Sequence, residues 1–196
     1  MILIQMKVGL YFGSFNPIHV GHCIIASHMA QNTPLDQVWL VVSPQNPLKP
    51  SGSLLNEYHR LYLVNLALEG DPKLKASDIE FHLPRPSYTV DTLAYLREKY
   101  PTHEFSLIMG SDSLQNLPKW KNYGNILENF SLYVYKRAGF EIIQLHDRAR
   151  ISEVEAPLLQ ISATHIRESV RKGISIRYLV PENVREEIER NRYYQQ

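Results

Sequence analysis

Two histidines three residues apart, His19 and His22, stand where a strand-like run gives way to a helical one. Val8 to Phe12 is short, apolar and of strand type. The run breaks at Gly13-Ser14, passes Asn16-Pro17, and enters a helical pattern near Val20-Gly21. A strand, a glycine turn and a helix start leave free backbone N–H groups beside the loop, where an anion can sit. The i, i+3 spacing puts both rings on one side of the helix entrance. Taken singly, each residue has an ordinary role in packing or turn formation. Together they provide a glycine that admits a phosphate, a positive helix end, and two imidazoles able to donate to one group. This combination suits chemistry on a phosphate.

A second constellation lies far along the chain. Ile161 to Arg167 reads I-S-A-T-H-I-R and opens a helix that runs to Lys172 and ends at Gly173. Ser162 or Thr164 can cap it, and Arg167 and Arg171 share a face at i, i+4. Alone, this is a capped surface helix with solvated arginines. Beside the first site it offers hydroxyls and an arginine to the β- and γ-phosphates of a triphosphate.

The elements that must position these groups alternate. Strand patterns fall at Val8 to Phe12, Gln37 to Ser43, Lys75 to Phe81, Glu104 to Met109 and Phe130 to Tyr135, with weaker signals at Glu141 to Leu145 and Ile151 to Val154. Helical spacing appears at Leu54 to Leu68, Arg60 included. It recurs at Thr89 to Tyr100, where Val90, Leu93 and Leu96 form one stripe and Pro101 stops the helix. Strand–helix alternation predicts an α/β fold: a doubly wound parallel sheet with flanking helices, right-handed crossovers and a small C-terminal helical part. One domain spanning residues 1–196 is expected, with no repeat or linker.

In such a sheet ligands bind at the carboxyl ends of strands. Two loops fall there. Pro44 to Pro50 carries Lys49; Gly110-Ser111-Asp112-Ser113 offers Asp112 to a ribose hydroxyl, or equally to capping of the next helix. Pro86-Ser87-Tyr88-Thr89 enters a helix with hydroxyls placed as N-caps.

Composition sets the outer bounds. Lys+Arg 21 against Asp+Glu 20 leaves a net charge of +1, so no general polyanion surface or nucleic-acid partner is expected, and any anion site is local. Cys23 is the only cysteine, which excludes an intrachain disulfide and a multi-cysteine metal site; it reads as a small buried filler. No apolar run is long enough to span a membrane, and Met1 to Ile4 is too short for a signal sequence. A cytoplasmic protein is therefore expected, with Met6 an alternative start. The sequence leaves homo-oligomerisation open.

Gly13 to His22 resembles the G-x-F-x-P-x-H-x-G-H motif of the nucleotidylyltransferase superfamily, itself similar to the HIGH sequence of class I aminoacyl-tRNA synthetases. I-S-A-T-H-I-R resembles the ISSTxIR motif of adenylyltransferases, with Ala163 for the second serine. Further matches narrow the resemblance to the bacterial nicotinate-nucleotide adenylyltransferase family. Pro44 to Lys49 resembles its P-x-x-P-H-K loop, with Leu48 for the histidine. Ser87 to Leu93 resembles SYTxxTL, Gly110 to Trp120 resembles GxDxLxxLxxW, and Leu179 to Val184 resembles LVPExV.

The resemblance implies a Rossmann-like fold and transfer of AMP from ATP to nicotinate mononucleotide, giving nicotinate adenine dinucleotide and pyrophosphate. Attack is direct, because the nucleophile is already a phosphate anion. By the same resemblance His19 and His22 are catalytic, and ATP is held by them with Gly13, Ser14, Phe15, Asp112, Arg137, Ser162, Thr164 and Arg167. The acceptor falls to Asn16, Lys49, Tyr88, Thr89 and Trp120. No carboxylate cluster suggests a dedicated metal cage, so Mg²⁺ is expected to arrive with ATP. Pantetheine-phosphate adenylyltransferase shares the first motif, but the SYT and Trp120 segments argue against it. A nucleotide-binding regulator that retains the site without turnover is the alternative from another class. A synthetase is disfavoured by the short chain and the lack of a KMSKS-like loop.

Overall fold

The computed structural model describes residues 6–45, 54–157 and 159–195. Six strands form one sheet: β1 (Met6–Gly13), β2 (Gln37–Val42), β3 (Leu74–Ser77), β4 (His103–Gly110), β5 (Ser131–Tyr135) and β6 (Ile151–Val154), in the order β3-β2-β1-β4-β5-β6. Every pairing is parallel, in register from Val8 opposite Gln37 on one side of β1 to Met6 opposite His103 on the other. The order reverses between β1 and β4, so the crevice for a ligand opens where Gly13 and Gly110 end their strands.

Side chains alternate between the two faces, as period 2 requires. Tyr11, Val38, Leu40 and Val42 enter one core, covered by α1 (Val20–Asn32), α2 (Glu57–Ala67), α6 (Ala163–Arg171) and α7 (Glu182–Arg190). Val8, Leu10, Trp39, Val41 and Leu107 enter the other, covered by α3 (Thr89–Lys99), the short α4 (Ser111–Asn116) and α5 (Tyr123–Asn129). Apolar residues on both faces are why these strands read as near-continuous hydrophobic runs. Leu93 and Leu96 of α3 are fully buried, and Val90 is half-buried at the start of the same stripe. Among the described residues, no helix is long and apolar enough to cross a membrane.

Two strand expectations are corrected. β3 ends at Ser77, and Ile79–His82 turns as a 3₁₀ helix, with the Phe81 N–H on the Asp78 carbonyl at 2.8 Å. The I-E-F alternation imitates a strand, but the tight turn takes the carboxylate of Glu80 inward to Ser87, just before α3, and Thr92 within it. Glu141 to Leu145 is not a strand, because β6 already occupies the place beside β5, Leu132 opposite Ile151. The segment is instead tied across α4 by Gln115 Nε2 donating to the Glu141 carbonyl at 2.8 Å. Cys23 is half-buried against the first core, and burial pushes its thiol up to about 11. At neutral pH this opposes formation of the thiolate.

Candidate active site

The loop from Gly13 to His19 is built around the ring of Phe15. A Cβ added at Gly13 would stand 2.8 Å from that ring, so the motif glycine makes room for the motif phenylalanine. Phe15 takes the left-handed backbone region at φ 43, which side chains rarely adopt. The cost is offset by burial, at 2 % exposed, and by edge contacts to Tyr11 and His22. Its ring is therefore packed edge-on against His22.

His19 and His22 stack, with ring centroids 3.7 Å apart and planes at 23°. His22 Nδ1 accepts from the His19 backbone N–H at 3.3 Å, which leaves the proton of a neutral His22 ring on Nε2. His19 is buried, its Nδ1 without a hydrogen-bond partner among the described residues. Burial first, and the positive charge of Arg137 second, push His19 from its ordinary 6.5 down to about 4. At neutral pH it is thus an uncharged donor. The consequence for stability has a definite sign. Between pH 6.5 and 4 the unfolded chain binds a proton that the folded chain refuses, so acidification through that window destabilises the fold. A loss of about 2 kcal/mol from this ring is expected between pH 7 and 5. Urea unfolding at both pH values, with His19→Asn as reference, measures it; equal losses in the two proteins would contradict it.

A cleft of about 580 Å³ opens beside the pair, lined among others by Tyr11, His19, His22, Asp112, Tyr135, Arg137 and Ser162. Asp112 and Arg137 come from the ends of β4 and β5 and face each other at 3.8 Å. Gly110 leaves room for the pair, since a Cβ there would displace Asp112 Oδ1 and stand 2.8 Å from Arg137 Cγ. Ser162 caps α6, its hydroxyl accepting from the His165 N–H at 3.2 Å. Arg167 on that helix donates from Nη1 to the carbonyl of Asn16 at 2.8 Å, bridging 151 positions of sequence. Its Nη2 lies 3.3 Å from Thr164 Oγ1, while its buried Nε has no hydrogen-bond partner among the described residues. This one contact brings the two predicted anion sites together. Gly13, Ser14, Phe15, Thr164 and Arg167 shape the surroundings rather than line the cleft.

The predicted acceptor residues are less gathered. Asn16 is buried, its Oδ1 accepting from the Leu55 N–H at 3.1 Å. Tyr88 is the N-cap of α3 and lines a second hollow of about 290 Å³ with Ser87, Asp91 and Lys121. Thr89 is half-buried in the first turn, and Trp120 is half-buried against the second core without lining that hollow. Lys49, with Leu48, lies outside the described residues. The expected hydroxyl cap of α3 is corrected: Tyr88 caps without a side-chain bond, and the hydroxyls of Ser87 and Thr92 turn inward to Glu80, each at 3.0 Å.

Sequence reasoning also missed residues beneath the site. Arg60 is fully buried and donates to the carbonyls of Ser14, Ser43, Pro44 and Leu55, clamping the loops after β1 and β2. Burial lowers its pKa, against the pull of Tyr194 and Glu57. Its signal was available: Leu63 and Val64, three and four positions on, are core residues, so Arg60 sits on the buried stripe. The hydroxyls of Tyr11 and Tyr135 meet at 3.1 Å on the cleft floor. Nothing in an apolar strand marks such a pair.

Known proteins share this architecture. The cytidylyltransferase-like family matches residues 10–169. Over 191 residues the chain is 54 % identical to a probable nicotinate-nucleotide adenylyltransferase of Flavobacterium psychrophilum, covering 96 % of this chain and 99 % of the relative. The corresponding protein of Cytophaga hutchinsonii is 54 % identical over 189 residues, covering 96 % and 98 %. Among solved structures, Plasmodium falciparum nicotinic acid mononucleotide adenylyltransferase complexed with NaAD has a TM-score of 0.83, at 20 % identity over 97 % of this chain and 98 % of that one. That identity speaks for the fold; the bacterial relatives, alike from end to end, speak for the family. By both sequence and architecture, this chain belongs to the nicotinate-nucleotide adenylyltransferases within the cytidylyltransferase-like proteins.

Proposed function

We propose that the protein transfers AMP from ATP to nicotinate mononucleotide, releasing pyrophosphate and forming nicotinate adenine dinucleotide. The observation that carries this reading is the Arg167–Asn16 contact, which sets a second helix entrance beside the stacked His19–His22 pair. A triphosphate laid across the cleft would meet the imidazoles at its α- and β-phosphates and the α6 entrance at its far end. The acceptor phosphate attacks the α-phosphorus, the bond to the bridging oxygen breaks, and the electron pair leaves with pyrophosphate. No general base is required. The protein's task is alignment and neutralisation of charge on the reacting oxygens.

His19, neutral, contributes one N–H, and His22 contributes Nε2–H. Ser162, Thr164 and Arg167 serve the leaving pyrophosphate, and Asp112 with Arg137 the nucleoside side. Among the described residues no three His, Cys, Asp or Glu side chains converge as a metal cage, and the carboxylate of Asp112 already faces Arg137. This donor set suits Mg²⁺ that arrives as part of the substrate, MgATP, held by phosphates and water. The whole chain acts as one nucleotidylyltransferase domain, in the cytoplasm. Pyrophosphate release from ATP, measured with nicotinate mononucleotide, its nicotinamide counterpart and pantetheine phosphate, tests the reading. Release with the first acceptor is expected; release with pantetheine phosphate alone would overturn it.

The hollow at the α3 entrance points to a carboxylate on the acceptor. The free N–H groups of the helix start present positive character there. Asp91 would repel a carboxylate, but Lys121 pairs with it at 2.9 Å. A carboxamide would turn an NH₂ toward donors, a mismatch of roughly 1–3 kcal/mol. A preference for nicotinate over nicotinamide mononucleotide of at least about tenfold in kcat/KM is expected. Equal efficiency with the two acceptors would reject the donor-lined hollow.

A further inference from the structure

Glu80 is 2 % exposed, in the 3₁₀ turn that follows β3. A buried carboxylate normally requires a cation beside it. The partners of this one are three hydroxyls from three parts of the chain. Ser87 donates to Oε2 at 3.0 Å, Thr92 donates to Oε1 at 3.0 Å, and the Ser43 side chain donates as well. Burial pushes its carboxyl pKa up, and the three hydroxyls pull it back.

What these hydroxyls belong to gives the arrangement meaning. Ser87 lines the hollow at the entrance of α3, and Thr92 is in the second turn of that helix, its hydroxyl also 3.2 Å from the Tyr88 carbonyl. Ser43 follows β2. Its N–H donates to the Gly13 carbonyl at 2.9 Å, and its own carbonyl accepts from Arg60 at 2.8 Å. One carboxylate thus fastens the α3 entrance to the chain leaving β2, and through Ser43 to the turn that precedes the histidine pair.

Resting on the proposed acceptor, we infer that Glu80 is a positioning residue for nicotinate mononucleotide. It holds the Ser87–Thr89 wall in register with the end of β2. It touches no substrate; it acts through Ser87, Tyr88 and Ser43. A carboxylate accepting hydroxyls is suited to this, because two oxygens with about four lone-pair sites receive bonds from several directions without a fixed partner geometry.

Steady-state kinetics on the full chain test the assignment. Glu80→Gln keeps the shape but turns an NH₂ toward a hydroxyl that donated to the carboxylate. It is expected to raise KM for nicotinate mononucleotide about tenfold and leave KM for ATP within about twofold. Thr92→Val and Ser87→Ala are expected to raise the same KM about threefold each, while Thr92→Ser, which restores the hydroxyl, stays near the unmodified value. A residue that only supports folding would lower the active fraction instead, reducing apparent kcat with both KM values unchanged. That result, or parallel rises in both KM values, would overturn the assignment. If Glu80→Gln does not fold, the Thr92→Val and Thr92→Ser pair decides alone. Absence of turnover with nicotinate mononucleotide in the unmodified protein would instead overturn the proposed function, and this role with it.

Discussion

Replacing His19 or His22 by alanine is expected to lower kcat by ~10²–10⁴, with a far smaller change in ATP affinity. The expectation follows from the arrangement of the rings. They stack at 3.7 Å, one fixed by burial and the other by the backbone N–H of the first, so each defines the position of its neighbour. His19 is neutral at working pH because burial and Arg137 oppose its protonation. A neutral donor attracts ground-state phosphate only modestly and strengthens as charge gathers on the transferring group, which is the behaviour that raises kcat. Because the two rings act as a unit, the double variant is expected to be little worse than either single one. Single-turnover rates and ATP binding on all three variants measure this. Near-normal turnover in both single variants would remove the pair from the chemistry.

Arg167→Ala is expected to cost about 10- to 10²-fold in kcat/KM in both directions of the reaction, forward from ATP and reverse from pyrophosphate. Two losses add here. One is the charge-assisted donor proposed for the leaving group. The other is the bond to the Asn16 carbonyl that draws α6 against the first loop. Lysine is expected to recover only part, since a single ammonium cannot hold a carbonyl and a phosphate with the geometry of a guanidinium. Kinetics in each direction, with pyrophosphate binding by calorimetry, give the measurement. Unchanged ATP and pyrophosphate affinities in Arg167→Ala would reduce α6 to a surface helix.

The fold and much of the site were legible because their causes are local. A strand, a glycine turn and a capped helix are written in neighbouring residues, so β1, α1 and the His19–His22 pair follow from a dozen positions. Gln37 to Val42 and Ser131 to Tyr135 declared themselves as buried parallel strands by unbroken apolar runs. What remained hidden depends on contacts distant in sequence. Phe15 reads as a ligand contact in a motif, yet its ring lies packed edge-on against His22. Ile79-Glu80-Phe81 alternates like a strand, and only Ser87 and Thr92, seven and twelve positions on, explain why it turns. Glu141 to Leu145 has strand composition but no free edge beside β5 to join. The bond from Arg167 to Asn16, which makes one site of two, has no local signature at all.

Direct transfer makes a definite demand on the fate of the α-phosphate of ATP. ATP labelled at that phosphate, incubated with the protein, Mg²⁺ and nicotinate mononucleotide and quenched within one turnover, follows it directly. The expected result is label in nicotinate adenine dinucleotide, one pyrophosphate released per label transferred, and no label on the protein at any time. Label on the protein during turnover, or label released as free AMP with the acceptor unchanged, would contradict direct transfer in the cleft beside His19 and His22.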